Sequence, residues 1–584
     1  MYAYTDFDKY FVHQRAAQYR DQLQRNLSGE LGDDEFRPLR LQNGWYVQRH
    51  APMLRVAVPY GELSATQLRA LARIAREFDR GYGHFTTRQN LQFNWIPLDK
   101  SADVMDALAA VNMHGIQTSG NCIRNTTSDC FAGVAPDEAV DPRPYAEVLR
   151  QWSTLHPEFA FLPRKFKIAI TGATEDRAAI AWHDIGLQLL KNDSGDVGFK
   201  VLVGGGMGRT PVVGTVVHEF LPWQQVLVFI EAIVRVYNRY GRRDNLYKAR
   251  IKILVKAEGQ RFLDDVRAEF RQIMEHDTDG TAQLIPQAEL DRVAASFRRP
   301  DGVAAHAESA AMPGDAPPAF KRWLQRNVHG HQVPGYRTVT LSLKRAGQPP
   351  GDATDAQMDL AADLSERFSA GELRVSHDQN LVLPWVRADD LFALWEAARA
   401  ASFATPNIGL LTDMIACPGG DFCALANARS IPIAQAITER FEDIDELYDI
   451  GDIDLHISGC INSCGHHHSG HIGILGVDKD GMEWYQVSLG GSDGSVISGG
   501  PVAGKVIGPS FAADEVPDVV EAVIDTYRGQ REGGEPFIAT VKRIGLDPFK
   551  AAANAVRHAT AQANTPATTQ APPHATAQAT AQAA

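Results

Sequence analysis

The residues best suited to chemistry are four cysteines in two close pairs. Cys417-Pro-Gly-Gly-Asp-Phe-Cys423 is a C-x5-C, and Cys460-Ile-Asn-Ser-Cys464 is a C-x3-C. Thiolates are soft ligands, and four of them converging suit either zinc or an iron–sulfur cluster. Zinc sites built from paired cysteines use C-x2-4-C spacing, which the wider first pair does not match. Gly419 and Gly420 are expected to let backbone pack closely against a bulky inorganic centre and aim N–H groups at its sulfurs. Four isolated buried thiols are the plain alternative, against which two tight pairs in Gly-rich loops argue. Cys122 and Cys130 lack this context and read as core or near-site thiols.

Basic residues form the second pattern. Arg88 lies in Thr87-Arg88-Gln89, Arg124 in Gly120-Asn-Cys-Ile-Arg124-Asn125, and Lys165 and Lys167 in Leu162-Pro-Arg-Lys165-Phe-Lys167. If Arg164–Ile170 is a strand, the two lysines share one face. Like charges there repel unless an anion compensates them, although an edge strand guarded by solvated lysines reads the same way. In the run Arg242-Arg243-Asp-Asn-Leu-Tyr-Lys248-Ala-Arg250-Ile-Lys252 the last three cations have one parity, which predicts a second cationic strand face. His466-His467-His468, with His471 nearby, suggests either a second metal or histidines that pack and hydrogen-bond beside a cofactor.

An internal repeat supplies the elements that must position these groups. Ser64-Ala-Thr-Gln67 and Thr354-Asp-Ala-Gln357 are capping boxes offset by 290 residues. Each opens an apolar helical pattern, and Gln89-Asn90-Leu91 and Gln379-Asn380-Leu381 follow at the same offset. Strands are expected before each helix, at Leu54–Val58 and Thr338–Leu343, and after each, at Leu91–Ile96 and Leu381–Val386. Further on, Ile170-Thr-Gly172 matches Ile457-Ser-Gly459, and Val201–Gly205 matches Val487–Gly491. Two halves packed about a pseudo-two-fold axis follow, with ligand sites between them.

The chain has 584 residues, which at roughly 100–200 per domain allows three to five domains. Its hydrophobic share of 44% and charged share of 22% fit a soluble protein with a large core. No 18-residue apolar run predicts a membrane span, and the polar N-terminus lacks a secretory h-region. Six cysteines are too few for a disulfide scaffold and point to a reducing compartment, the cytoplasm. A net charge of −13 argues against a nucleic-acid partner.

Taken together, C-x5-C, C-x3-C, Thr86-Thr87-Arg88-Gln89-Asn90, Gly120-Asn-Cys-Ile-Arg124-Asn125 and Leu162-Pro-Arg-Lys165-Phe-Lys167 resemble the sirohaem-dependent sulfite and nitrite reductases, most closely the bacterial assimilatory sulfite reductase haemoproteins. The resemblance runs from about Phe36 to Ile544. It implies an α+β fold of duplicated ferredoxin-like half-domains plus two α/β cofactor-binding modules related by pseudo-two-fold symmetry. The expected boundaries are an N-terminal arm 1–40, half-domains 41–112 and 319–404, modules 113–297 and 405–548, a linker 298–318, and a disordered Ala/Thr/Gln/Pro tail 549–584.

It also implies a [4Fe–4S] cluster on Cys417, Cys423, Cys460 and Cys464, with Cys464 bridging to the sirohaem iron. Arg88, Arg124, Lys165 and Lys167 would surround the bound anion, the arginines orienting it and the lysines donating protons. Arg243, Lys248, Arg250 and Lys252 would balance the sirohaem carboxylates, and Asn462 is retained beside the cluster. The chain departs from the family in having Ile461 where Pro is common, and in its triple histidine. Nitrite-preferring relatives carry Asn at the second lysine, so Lys167 leans toward sulfite. Gly204-Gly-Gly206-Met-Gly208-Arg209 is no complete G-x-G-x-x-G and no flavin-binding region is apparent, so an external donor is implied, a ferredoxin or a flavoprotein. A regulatory module holding zinc or a cluster is the competing class, and it would need neither the arginine motifs nor the lysine pair.

Overall fold

The computed structural model describes residues 1–154, 156–276, 284–306, 316–495 and 499–563. Two five-stranded antiparallel sheets form its centre. One runs Trp45–Val47, Pro52–Val56, Leu91–Phe93, Tyr82–Phe85 and Asp352–Thr354; the other runs Val328–His329, Tyr336–Leu341, Leu381–Arg387, Glu372–Val375 and Glu62–Ser64. Each half therefore lends one three-residue strand to the sheet of the other, with Glu62–Ser64 antiparallel to Glu372–Arg374 and Asp352–Thr354 antiparallel to Tyr82–His84.

The exchanged strands lead straight into the two capped helices, Ala65–Phe78 and Asp355–Phe368. Ser64 and Thr354 accept from the amides of Gln67 and Gln357, whose side chains accept from the cap amides in return. Across the pseudo-axis Arg69 pairs with Asp363 and Glu366, and Arg76 with Asp355 and Asp359. One apolar core, including Leu68, Leu71, Met358 and Leu364, runs through both halves. The N-terminal segment adds helices Asp6–Leu27 and Asp33–Gln42, which sink Tyr19, Leu23 and Phe36 into that core.

Each half also carries a mixed sheet. In the first, Thr127–Ser128, Ile168–Thr171 and Ile185–Lys191 are parallel, and Val197–Val203 and Thr215–Pro222 continue antiparallel. In the second, Ile415–Ala416, Leu455–Ser458 and Ile472–Lys479 are parallel, and Met482–Leu489 and Lys505–Val506 continue antiparallel. The Gln89 and Gln379 turns tie these layers together. Both residues have positive φ, 57° and 62°, a strained region for a non-glycine residue. Gln89 Nε2 donates to the carbonyls of Ser128 and Val375, and its Oε1 accepts from Ser128 N. Gln379 does the same with Ala416 and Phe85.

Two expectations are corrected. The run ending at Lys252 is not a strand: Arg250 is the N-cap of helix Ile251–Glu258, because Ile251 buries into the first module's core and the chain turns helical there. Nor is the C-terminal tail unstructured from residue 549. Helix Asp547–Ala563 forms, and Phe549 and Ala553, one turn apart, anchor it in the second module's core. Residues 564–584 and, in the linker, 307–315 lie outside the described residues; Pro318 already begins helix Pro318–Asn327. Among the described residues no helix is long and apolar enough to cross a membrane.

Candidate functional site

Two loops of the second module present the cysteines. The loop 417–430 is zipped to 457–459: Cys417 N donates to Ile457 O, and Asn427 N and Ala428 N both donate to Gly459 O. The glycines serve this closure. A Cβ on Gly459 would stand 2.5 Å from Ala428 O and 2.7 Å from Gly419 Cα, and one on Gly419, at φ +58°, would stand 2.4 Å from Ser430 Oγ. Gly419 thus lets one loop approach the other closely. Backbone N–H groups do reach sulfur, since Gly459 N donates to Cys417 Sγ at 3.2 Å; Asn462 Nδ2 lies 3.6 Å from Cys460 Sγ. All four thiols are free. Among the described residues no three His, Cys, Asp or Glu side chains gather closely enough to hold a single metal ion. The donor set of four thiols in two facing loops fits a cluster, whose corners spread its ligands apart.

The first half faces these loops with its cations. Arg55, Arg88, Arg124, Lys165 and Lys167 line one pocket of about 100 Å³ together with Cys417 and Cys464. The expected anion set therefore meets the cysteine said to bridge. Lys165 and Lys167 project to the same pocket from an extended segment that continues into the strand Ile168–Thr171, with Phe166 bridged to Ile123. Thr87 Oγ1 donates to Cys464 O at 2.9 Å and ties the two sides together.

Backbone carbonyls and a threonine hydroxyl hold the two arginines. Arg88 donates to Thr127 Oγ1 at 2.8 Å and Asn125 O at 2.7 Å, and Arg124 to Thr118 O at 2.6 Å and Gly120 O at 2.7 Å. Burial brings the Arg88 guanidinium down to about 9, with Asp184 pulling it back up, so it stays charged at neutral pH. Burial pushes Lys165 down to about 8, with Cys464 opposing and Arg124 and Arg250 adding repulsion. Lys167 falls well below the usual lysine range, through burial first and then the charges of Lys165, Arg88 and Arg250. Lys165, so depressed, is poised to release a proton near neutral pH.

Sequence reasoning missed the carboxylate that balances this cluster. Asp184, fully buried, accepts from Arg250 Nη2 at 2.7 and 2.8 Å and from Lys167 N at 2.8 Å. A lone acid ahead of a strand carries no sequence signal. Arg250 is thus committed to Asp184. Lys252 donates to the carbonyls of Gly206, Met207 and Thr210 and so holds the glycine-rich loop, while Arg243 lies exposed against Phe161 O and Asn238 Oδ1. None of Arg243, Lys248, Arg250 and Lys252 lines the anion pocket or the cleft that continues from it. That cleft, about 730 Å³, shares Gln117, Arg124 and Lys165 with the pocket and adds Arg15, Arg164, Tyr46 and Cys122. Its size and cationic lining suit a large, carboxylate-bearing planar group.

The histidines pack and hydrogen-bond. His468 Nε2 donates to Gly208 O at 2.9 Å, His471 Nδ1 accepts from Asp454 N at 3.2 Å, and the His467 and His468 rings lie 4.0 Å apart.

Comparison with known proteins decides the family. The nitrite and sulphite reductase 4Fe-4S domain matches residues 119–274 and 410–559, and the nitrite/sulfite reductase ferredoxin-like half domain matches residues 46–111 and 331–401. The chain belongs to the nitrite and sulfite reductase family. Its cofactors are accordingly sirohaem and a [4Fe–4S] cluster, and its two central sheets are the ferredoxin-like half-domains. A sulfite reductase [ferredoxin] of Mycobacterium tuberculosis is 28% identical over 85% of this chain and 83% of its own length. An assimilatory ferredoxin-dependent nitrite reductase of Haloferax mediterranei is 27% identical over 85% and 82%. The solved structure of the Mycobacterium tuberculosis NirA protein, 25% identical, superposes with a TM-score of 0.72 over 91% of this chain and 94% of that one.

Proposed function

We propose that this reductase is an assimilatory sulfite reductase, carrying out the six-electron reduction of sulfite to sulfide with electrons from an external carrier. The observation that carries the reading is the pocket in which Arg88, Arg124, Lys165 and Lys167 face Cys464. Cys417, Cys423, Cys460 and Cys464 would hold the cluster, Cys464 at the side where sirohaem binds. When bound, the coupled cofactors supply the electrons.

The protein's part is electrostatic and protonic. Arg88 and Arg124, fixed by backbone carbonyls, bind and orient the oxyanion. Such preorganised charge offsets the negative charge that builds as electrons arrive. Lys165 and Lys167 give protons to departing oxygens, and water in the pocket restores them. Asp184 keeps the Lys167 backbone in place throughout. The four free thiols of the ligand loops are consistent with a reducing compartment such as the cytoplasm.

Lys167 also supports sulfite over nitrite. A second ammonium favours the doubly charged anion, because attraction scales with the product of the charges. Nitrite reduction to ammonia is the second reading, favoured by the relatives named as nitrite reductases. Turnover of the two anions by the purified protein, driven by reduced methyl viologen, tests the assignment. Higher kcat/KM for sulfite is expected, and a clear preference for nitrite overturns it.

A further inference from the structure

Cys417 is delivered by a short edge strand. Ile415–Ala416 is two residues long and lies at the end of its sheet, beside Leu455–Ser458. A side chain closes its open side. Gln379 Nε2 donates to Ala416 O at 3.0 Å, and Gln379 Oε1 accepts from Ala416 N at 2.9 Å, as a neighbouring strand would. The twin turn does the same for the other module's edge strand, where Gln89 exchanges both bonds with Ser128.

The two amides differ in what holds them. Gln89 Nε2 has two acceptors, the carbonyls of Ser128 and Val375. Gln379 Nε2 has three: the carbonyls of Ala416 and Phe85, and His84 Nε2 at 3.1 Å. His84 stands opposite Asp352 of the exchanged strand, and its Nδ1 lies 2.8 Å from Asp352 Oδ1. An ionised carboxylate has no hydrogen to give, so the ring carries its proton on Nδ1 and offers the Nε2 lone pair to Gln379. A hydrogen on Nε2 would point at the amide hydrogens. The amide cannot turn over, because its oxygen would then face two carbonyls. Gly351 leaves room for it: a Cβ there, at φ +80°, would stand 2.9 Å from Gln379 Nε2 and from Phe85 O.

The other ladder uses its pair differently. The residues displaced by 290 from His84 and Asp352 are Arg374 and Glu62, again opposite each other. Arg374 donates to Ala132 O and Glu372, and among the described residues it makes no bond to Gln89. The imidazole therefore marks the ladder that serves a cysteine. His84, Asp352 and Gln379 are all buried, and His84, Gln379, Ala416 and Cys417 line the anion pocket together.

We propose that His84, set by Asp352, is a positioning residue for the cluster: it fixes the Gln379 amide on Ala416 and so holds Cys417 in place. The strand that the second half lends to the first thus secures the second half's own ligand arm. The proposal goes beyond the sulfite reading and rests only on Cys417 being a cluster ligand.

The test follows iron release from the cofactor-loaded enzyme into bathophenanthroline disulfonate without oxygen, with the EPR signal of the reduced cluster as a second readout. Asp352→Asn can give a hydrogen to Nδ1 and so frees the tautomer, and His84→Leu removes the acceptor. Losing a group that orients a ligand costs about 10–100-fold in metal retention, so both variants should speed release at least about tenfold and alter the EPR signal. His84→Gln puts an amide oxygen where Nε2 accepts and should release iron as the parent does. Glu62→Gln, which breaks the matching pair of the other ladder, should lower the urea midpoint without speeding release. Variants that fold but are purified without iron count with fast release. Parental release in both Asp352→Asn and His84→Leu overturns the proposal. Equal acceleration in His84→Gln also overturns it, by assigning the effect to ring size, as does equal acceleration in Glu62→Gln, by assigning it to general stability. A Cys417→Ser protein that keeps the parental signal and release rate would instead remove Cys417 from the ligand set.

Discussion

Replacing Asp184 with Asn isolates the balance of charge behind the anion pocket. The substitution keeps shape and an acceptor for the Lys167 amide but removes the one negative charge among Arg88, Lys167, Arg250 and Lys252. Arg250, with its side chain 14% exposed, would be left without the bidentate partner it holds at 2.7 and 2.8 Å. Removing one member of a buried ion pair costs about 3–5 kcal/mol, because the orphaned charge remains. The Asn oxygen can still accept a hydrogen bond from Arg250, offsetting about 1 kcal/mol. The expected loss is therefore about 2–4 kcal/mol. Asp184→Asn combined with Arg250→Met removes the orphan and should recover most of it, giving an interaction energy of about 2 kcal/mol in the double-mutant cycle. Urea unfolding of the parent, both single variants and the double variant measures this. A loss below about 1 kcal/mol in Asp184→Asn, or strictly additive single effects, would refute the argument that these charges are coupled.

Other outcomes follow from the same geometry. Cys464→Ser should leave protein that folds but lacks the coupled cluster–haem spectrum, checked by absorption together with iron and acid-labile sulfide; an unaltered spectrum removes Cys464 from the ligand set. Lys167→Asn should move the sulfite-to-nitrite ratio of kcat/KM toward nitrite, and an unchanged ratio ends the charge argument for specificity. Sulfite kcat/KM should fall as pH rises through about 8, where Lys165 loses its proton, and Lys165→Arg should move that limb upward; a limb that stays in place assigns it to another group. Stability of the cofactor-free chain carries the opposite sign. The folded Lys165 value lies below the unfolded one, so the charged pocket costs stability fully below pH 8, and the cost fades toward about 10.4. Unfolding midpoints should rise across that window in the parent and stay flatter in Lys165→Gln.

What could be read from the sequence was what chemistry restricts to a few residue types. Cysteine spacing pointed to a soft metal centre, and the arginine and lysine motifs placed the anion set through their resemblance to the sirohaem reductases. The capping boxes named the paired helices because Ser or Thr with Gln three residues on is a local signal. The exchanged strands Glu62–Ser64 and Asp352–Thr354 stayed hidden because three residues are too few to show an alternating pattern. Around Arg250 the alternation of four residues fitted a strand as well as the start of a helix, and burial of Ile251 decided between them. Composition misled for the tail, because alanine is the strongest helix former once Phe549 has an apolar site to enter.

The repeat explains why only one half offers an anion site. Equivalent positions can be read from matching hydrogen bonds. Asn90 and Asn380 correspond at the 290-residue offset: Asn90 Oδ1 accepts from Asn125, and Asn380 Nδ2 donates to Asp413. Lys167 N donates to Asp184, and Asp454 N donates to His471. Along the same register Arg88 corresponds to Asp378. Where the first half has an arginine and a lysine backed by a carboxylate, the second thus has two aspartates, one of them backed by a histidine. Burial raises Asp378 to about 7, with Asp413 adding to the rise, and holds Asp454 well above the usual carboxylate range. An oxyanion arriving there would find carboxyls, which repel it when ionised, where the first half holds fixed cations. The duplication supplies two similar frames, and inversion of charge leaves one of them able to bind an anion.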